Sequence, residues 1–392
     1  MKLWQEKNNY NKEILEYTIG NDCLVDQKII KYDCIASIAH AKMLNKINIL
    51  SKKEEEKIIK NLKKIKKLNE NGKFILKKED EDCHTAIEKY LTKKLGKTGK
   101  KIHTARSRND QILVALRLYY KEEIKKVKLN INQLIKTLEK YKEKNGSIKI
   151  PGYTHTRKGM PSSIGLLIES YIESMQDNKK ILKNTYDLIN QSPLGTGAGY
   201  GLPIKYDRKF TSDLLGFKKI QNNPIYVQNS RGKFESEIIH MLSQVMLDLN
   251  KIANDLILFS TTEFGFFNIS DKITTGSSIM PHKKNPDALE LIRAKYSVII
   301  SYEQRIKNII SNLISGYHRD LQLTKEPIIK SFEITINSLK MTELIFQNLE
   351  INKKKCKEAI TKELYSTEEV YNILKKDMTF RDAYFCISQK YK

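Results

Sequence analysis

The sequence predicts an all-α fold: an elongated five-helix central bundle with small helical domains before and after it. Two observations carry this. Apolar residues recur at alternating four- and three-residue steps over unusually long windows, and clusters of glycine and proline punctuate those windows. Ile238, Leu242, Val245, Leu249, Ile252, Leu256 and Phe259 form one such stripe, which stays on a single helix face. Ile124, Val127, Ile131, Leu134, Leu138 and Tyr141 keep the same rhythm, as do Ile164, Leu167, Tyr171 and Met175. Leu289, Ile292, Tyr296 and Ile299 begin a fourth stripe, and Phe332, Leu339 and Phe346 fall on a fifth. The spacing predicts helices near 110–145, 158–190, 232–262, 286–315 and 327–350. Helices of roughly 30 residues span about 45 Å each, far beyond the ordinary globular helix. Seams of this kind suit near-antiparallel packing. A lone bundle of five leaves apolar surface on its rim, so oligomerisation through further helices is expected. The breaks lie at 146–152, 193–203 and 269–286. The expected domains are 1–105, 106–356 and 357–392.

Composition narrows the function classes. The net charge is +24, from 70 Lys+Arg against 46 Asp+Glu. Only ten of the 70 are arginine, and the lysines are spread through the whole chain. Runs 52–67 and 121–128 read as outer helix faces. Base readout wants arginine forks or stacking aromatics at fixed spacings, so no nucleic-acid partner is expected. Cys23, Cys34, Cys83, Cys356 and Cys386 are odd in number, widely spaced and without a CxxC pair. That argues against disulfide scaffolds and zinc ribbons and for a reduced, cytoplasmic setting. Residues 1–10 hold no apolar core of a signal peptide, and no run approaches 18 apolar residues.

Three segments carry chemistry. Residues 103–111, His-Thr-Ala-Arg-Ser-Arg-Asn-Asp-Gln, place two arginines and several amide and hydroxyl donors just before a long helix. Donors at a helix N-terminus suit carboxylates or phosphates, although an N-cap with structural ion pairs would read the same. Pro151-Gly152-Tyr153-Thr154-His155-Thr156 sets a histidine in a break, where a lone histidine is usually structural. Residues 274–286 run Gly276-Ser277-Ser278, then Pro281-His282-Lys283-Lys284-Asn285-Pro286. A polar loop of this length and donor density can close over a charged substrate. Gly195, Gly197, Gly199 and Gly201 do not form GxGxxG and lack GK[ST], so close backbone approach, to another chain or to an active site, fits better than nucleotide binding. Metal-ligand spacings and GxSxG are absent, so neither a metal nor a hydrolytic serine is expected.

Taken in order, these segments resemble the argininosuccinate lyases of the fumarase/aspartase superfamily, which include delta-crystallin. The loop 276–286 resembles the signature of the whole superfamily. Residues 103–111 and Tyr317-His318-Arg319-Asp320-Leu321-Gln322-Leu323-Thr324-Lys325 point to the substrate. Lys2-Leu3-Trp4 and Asp80-Glu81-Asp82-Cys83-His84-Thr85 fit the same family, and the resemblance runs from residue 2 to about 386. It implies a homotetramer with a twenty-helix core and active sites shared between three subunits. It implies cofactor-free anti elimination of argininosuccinate to arginine and fumarate. By resemblance, Ser277 is the base, His155 the partner acid, Glu290 the carboxylate that orients that histidine, and Lys283 and Asn285 the groups that hold the fumarate-side charge. The substrate contacts it implies are Thr18, Asp22, His84, Arg108, Asn109, Thr154, Tyr317, Gln322 and Lys325.

The chain departs from the family in three places. Arg157 stands where glutamine is common, Thr18 where serine is usual, and the small C-terminal domain is expected to be curtailed. Two other readings compete. One is an adenylosuccinate or other fumarate-releasing lyase, against which Arg106-Ser107-Arg108-Asn109-Asp110-Gln111 weighs. The other is a non-catalytic structural or binding protein, as some lens crystallins are, yet Ser277, His155, Lys283 and Glu290 are all present.

Overall fold

The computed structural model describes residues 11–374 and 377–391. Lys2-Leu3-Trp4 and the rest of the first ten residues lie outside them. Among the described residues the chain is helical, with a few short strands. Five long helices stand where the periodicity places them: Arg108–Asn145, Ile164–Ile189, Lys233–Phe259, Asp287–Ile310 and Lys325–Gln347. The stripe from Ile238 to Phe259 is buried at every predicted position, and so is the stripe from Ile124 to Tyr141. Each fully buried large apolar side chain contributes about 1.5–3 kcal/mol, which holds these helices far more firmly than intrinsic propensity does.

The second long helix begins later than the spacing predicts. Residues Arg157–Ser163 are instead a strand, antiparallel to Lys149–Thr154, with Tyr153 opposite Lys158 and Thr154 opposite Arg157. Pro161 explains the shift: it lacks an N–H for a helical bond and disfavours helical geometry at Met160. A second difference concerns Lys121. Its run reads as a solvated face, but Lys121 is buried, donates to the Gly216 carbonyl at 2.6 Å and lies 4.4 Å from the Phe217 ring. The run 52–67 behaves as expected. Ser51 caps the helix Lys52–Glu70 in a capping box with Glu54, and Ile58, Leu62 and Ile65 turn inward.

The chain divides into two compact units, and the divisions fall inside all five long helices. The first holds the described residues up to Lys126, with Leu182–Met241 and Ile300–Glu333. The second holds Val127–Ile181, Leu242–Ile299 and the described residues from Ile334 onward. In the first, Tyr32, Tyr119, Tyr120 and Phe332 pack ring against ring. In the second, Phe259 gathers Tyr153, Phe264, Phe266 and Phe267 around it.

Candidate active site

The first unit gathers charged groups of both signs. Asp22 and Asp26 are one turn apart on the short helix Asp22–Asp26, so both carboxylates share a face. Lys325, the first residue of the fifth long helix, meets both, at 2.9 Å and 2.6 Å. Burial pushes Asp22 up to about 6, against the pull of the Lys325 ammonium. Burial also opposes the charge of Lys325, but Asp26 and Asp22 outweigh it and raise its pKa, so it stays an ammonium. Asp26 binds onward through Oδ2, which accepts the Cys83 N–H at 3.3 Å.

Arg108 begins the first long helix. Its guanidinium donates to Asp82 at 2.9 Å and to Thr85 Oγ1 at 2.8 Å, and lies 3.6 Å from Glu81. Arg319 stands 3.8 Å from the other oxygen of Glu81 and donates to the Thr18 carbonyl at 2.9 Å. Gln322 donates to that same carbonyl at 3.2 Å. Next to this group, His84 Nδ1–H donates to Asp33 Oδ2 at 2.8 Å. Gln111 donates to both oxygens of Asp33, and Ser37 donates to Oδ1. Burial opposes both charges, yet each supports the other: Asp33 is held below the ordinary carboxylate range and His84 above the ordinary histidine range. Asp33, Cys83 and His84 lie close enough to be considered as metal ligands. Hydrogen bonds already occupy both oxygens of Asp33, and burial pushes the Cys83 thiol up, away from the thiolate a metal needs. The cluster therefore reads as a hydrogen-bonded ion pair.

Asp22 with Lys325, Arg108 with Arg319, Gln322 and the Thr18 carbonyl, and His84 with Asp33 thus form three polar clusters that meet along residues 81–85, while the Thr18 hydroxyl bonds back to its own helix. Asn109 and Tyr317 are in the same unit, but among the described residues no hydrogen bond joins their side chains to those clusters; Tyr317 has the Arg231 guanidinium 5.8 Å from its ring. Sequence reasoning missed Asp26 and Asp33 as members. The signal for Asp26 was available, since it repeats Asp22 four residues on. None existed for Asp33, whose role depends on residues 51 and 78 positions away.

The second unit holds the residues nominated for chemistry. His155 and Thr156 form the two-residue turn of the hairpin, with φ of 52° and 57°. Two successive positive φ values are the geometry of a type I′ turn, which glycine and asparagine favour. A histidine and a β-branched threonine there are strained, and such strain concentrates at functional positions. Ser277 follows the short strand Thr275–Gly276, which pairs with Lys284–Asn285 and closes the loop at its base. Ser277 Oγ accepts the backbone N–H groups of Met280 at 3.0 Å and Ile279 at 3.3 Å. Thr154, His155, Lys283 and Glu290 are exposed. Among the described residues no hydrogen bond joins Ser277, His155, Lys283 and Glu290 to one another.

The comparisons with known proteins bear on this site. A family model described as Lyase matches residues 1–301. Argininosuccinate lyase of Thermotoga neapolitana is 50% identical over 390 residues, covering 100% of this chain and 98% of that protein. The enzyme of the same name from Bacteroides thetaiotaomicron is 40% identical over 383 residues, covering 98% and 86%. Among solved structures, an EDDS lyase variant with bound fumarate matches with a TM-score of 0.80 at 20% identity, covering 97% of this chain and 76% of that one. Class II fumarase from Schistosoma mansoni matches with a TM-score of 0.80 at 17% identity, covering 95% and 91%. At these identities the structural likeness speaks for the fold alone.

Proposed function

We propose that this chain, which belongs to the argininosuccinate lyase family and is a carbon–nitrogen lyase, splits argininosuccinate into arginine and fumarate. The observation that carries this reading is the full-length likeness to enzymes of that name. The first unit supports it chemically. Argininosuccinate carries three carboxylates, an ammonium and a guanidinium. A cluster in which Asp22 and Asp26 alternate with Lys325, and Arg108 with Asp82, can exchange its internal pairs for those groups. A plain dicarboxylate would need only the cations.

The reaction is an anti elimination. Ser277 removes a proton from the carbon beside a carboxylate, and that carboxylate becomes an aci-carboxylate with extra negative charge. Lys283 and Asn285 hold that charge. The C–N bond then breaks, and His155, oriented by Glu290, protonates the leaving guanidino nitrogen. A serine is a weak base at its ordinary pKa, and the two N–H groups aimed at Oγ favour its ionised form. The elimination changes no oxidation state that would call for a redox cofactor, and we assign neither cofactor nor metal. Thr18, Thr154, Asn109, Tyr317 and Gln322 complete the substrate contacts, and His84 lies beside them.

The site forms in a homotetramer, each copy of it drawing its segments from three subunits around a twenty-helix core. Exposed apolar side chains on the long helices support this: Leu129, Leu166 and Leu291 are each more than half exposed. The enzyme works in a reducing cytoplasm as the last step of arginine synthesis. Its five cysteines are free, and no described helix is long and apolar enough to cross a membrane.

Fumarate release from argininosuccinate, followed by ultraviolet absorbance, tests the reading. The wild type should release fumarate, and Ser277→Ala should lose roughly a thousandfold or more in kcat. A folded wild type that releases none, while acting on another fumarate-forming substrate such as adenylosuccinate, would move the assignment within the superfamily. No release from any of them would overturn it.

A further inference from the structure

Two buried titratable groups in the first unit take no part in the chemistry above: Asp110 bonds the glycine-rich loop 195–201, and His40 bonds Tyr206, whose ring lies against Gly195 in that loop. Asp110 is fully buried. Its Oδ1 accepts the Ser107 N–H at 3.0 Å, at the start of the helix that carries Arg108. Its Oδ2 accepts the N–H groups of Gly195 and Gly197, each at 3.0 Å. One carboxylate therefore caps the helix and grips the loop. Glycine is required at the grip. Gly195 has φ +87°, and a Cβ there would lie 2.6 Å from the Tyr206 ring; Gly197 has φ +59°.

His40, also fully buried, ties the segment 104–110 to Tyr206, the residue packed against Gly195. Its Nε2 lies 3.0 Å from the Thr104 carbonyl and its Nδ1 3.0 Å from the Tyr206 hydroxyl, and its ring stacks on Tyr206 at 5.7 Å. A carbonyl can only accept, so Nε2 carries the proton and Nδ1 accepts the Tyr206 O–H. Burial, with Arg106 nearby, holds His40 well below the ordinary histidine range, which suits this neutral tautomer.

We propose that Asp110 and His40 are positioning residues: Asp110 ties the loop 195–201 directly to the segment 104–110, His40 ties that segment to Tyr206 beside the loop, and together they fix the backbone from which Arg108 and Asn109 reach the substrate. The proposal rests on the reading of Arg108 and Asn109 as substrate contacts. It also gives the glycine-rich segment a purpose, the close backbone approach that its sequence implies.

Asp110→Asn and Tyr206→Phe test it. An amide has one acceptor oxygen for three N–H donors, so Asp110→Asn releases either the helix cap or the loop. Tyr206→Phe removes one oxygen atom and strands His40 Nδ1. Each variant should raise the KM for argininosuccinate about tenfold while kcat stays within a few-fold, because orientation is lost and the chemistry is kept. The double variant should lose less than the product of the single losses, since both ties hold the same segment 104–110. Amide hydrogen exchange reads the tie without substrate: Tyr206→Phe, outside the segment 104–110, should speed exchange within it. An unchanged KM in folded variants of an active enzyme, or independent multiplicative losses, would overturn the proposal. If Asp110→Asn fails to fold, Tyr206→Phe decides by the same two readouts. A wild type inert on argininosuccinate defeats the reading of function, and the exchange data still decide the tie.

Discussion

The two units treat their polar residues in opposite ways. In the first, Asp22, Asp26, Lys325, Asp33 and His84 are largely buried and hydrogen-bonded to one another within a single chain. In the second, His155, Lys283 and Glu290 face solvent, and among the described residues Ser277 is met only by backbone N–H groups of its own loop. The groups of the first unit that we assign to recognition are organised by the fold of one chain. The groups we assign to chemistry sit on a strained turn, a strand-closed loop and the first turn of the helix Asp287–Ile310, where they have polar side chains to offer but little of the desolvation that makes electrostatic catalysis strong. In our reading, assembly and substrate supply that desolvation. Stability should therefore live in the first set and turnover in the second, and mutation can separate them.

The largest contrast should come from two lysines. Lys325→Met leaves two buried carboxylates without their cation and should cost about 3–5 kcal/mol in denaturant unfolding. Lys283→Met, at an exposed position, should change stability by no more than about 0.5 kcal/mol, yet lower kcat roughly a hundredfold. Equal effects of the two on unfolding would break the comparison.

A smaller effect concerns pH. The folded pKa of Asp22 is raised from 3.8 to about 6, so its contribution to stability is fully present below 3.8 and lost as pH rises through about 6. Asp110, also raised to about 6, acts in the same window with the same sign. His40, with its pKa lowered, acts oppositely, losing stability as pH falls below 6.5. Subtracting an Asp22→Asn curve from the wild-type curve isolates one term. The difference should decline between about pH 4 and 6 and flatten above it, and a flat difference would refute the assignment.

The smallest effect tests strain in the second unit. Thr156→Gly relieves a β-branched residue at φ 57° and should raise stability by about 1 kcal/mol. No gain in the thermal midpoint would mean the turn is not strained as argued.

Much of the fold was legible in the sequence because one-dimensional periodicity and helix-face burial are the same fact seen twice. The stripes through Leu134 and Leu249 required only counting. The boundary at Ile164 was misplaced because Pro161 sits within a window that otherwise keeps helical spacing, and strand pairing with Lys149–Thr154 settles the competition. The candidate residues emerged from motifs and family likeness, which name positions and leave partners open. Sequence by itself determined the all-α class and the five long helices, and it nominated the segments proposed to carry chemistry. Only the tertiary structure decided that Asp110 grips Gly195 and Gly197, that Asp33 holds His84, and that Lys121 is buried. These pairings join residues tens of positions apart, and burial and hydrogen-bond geometry exist only after the chain has closed on itself.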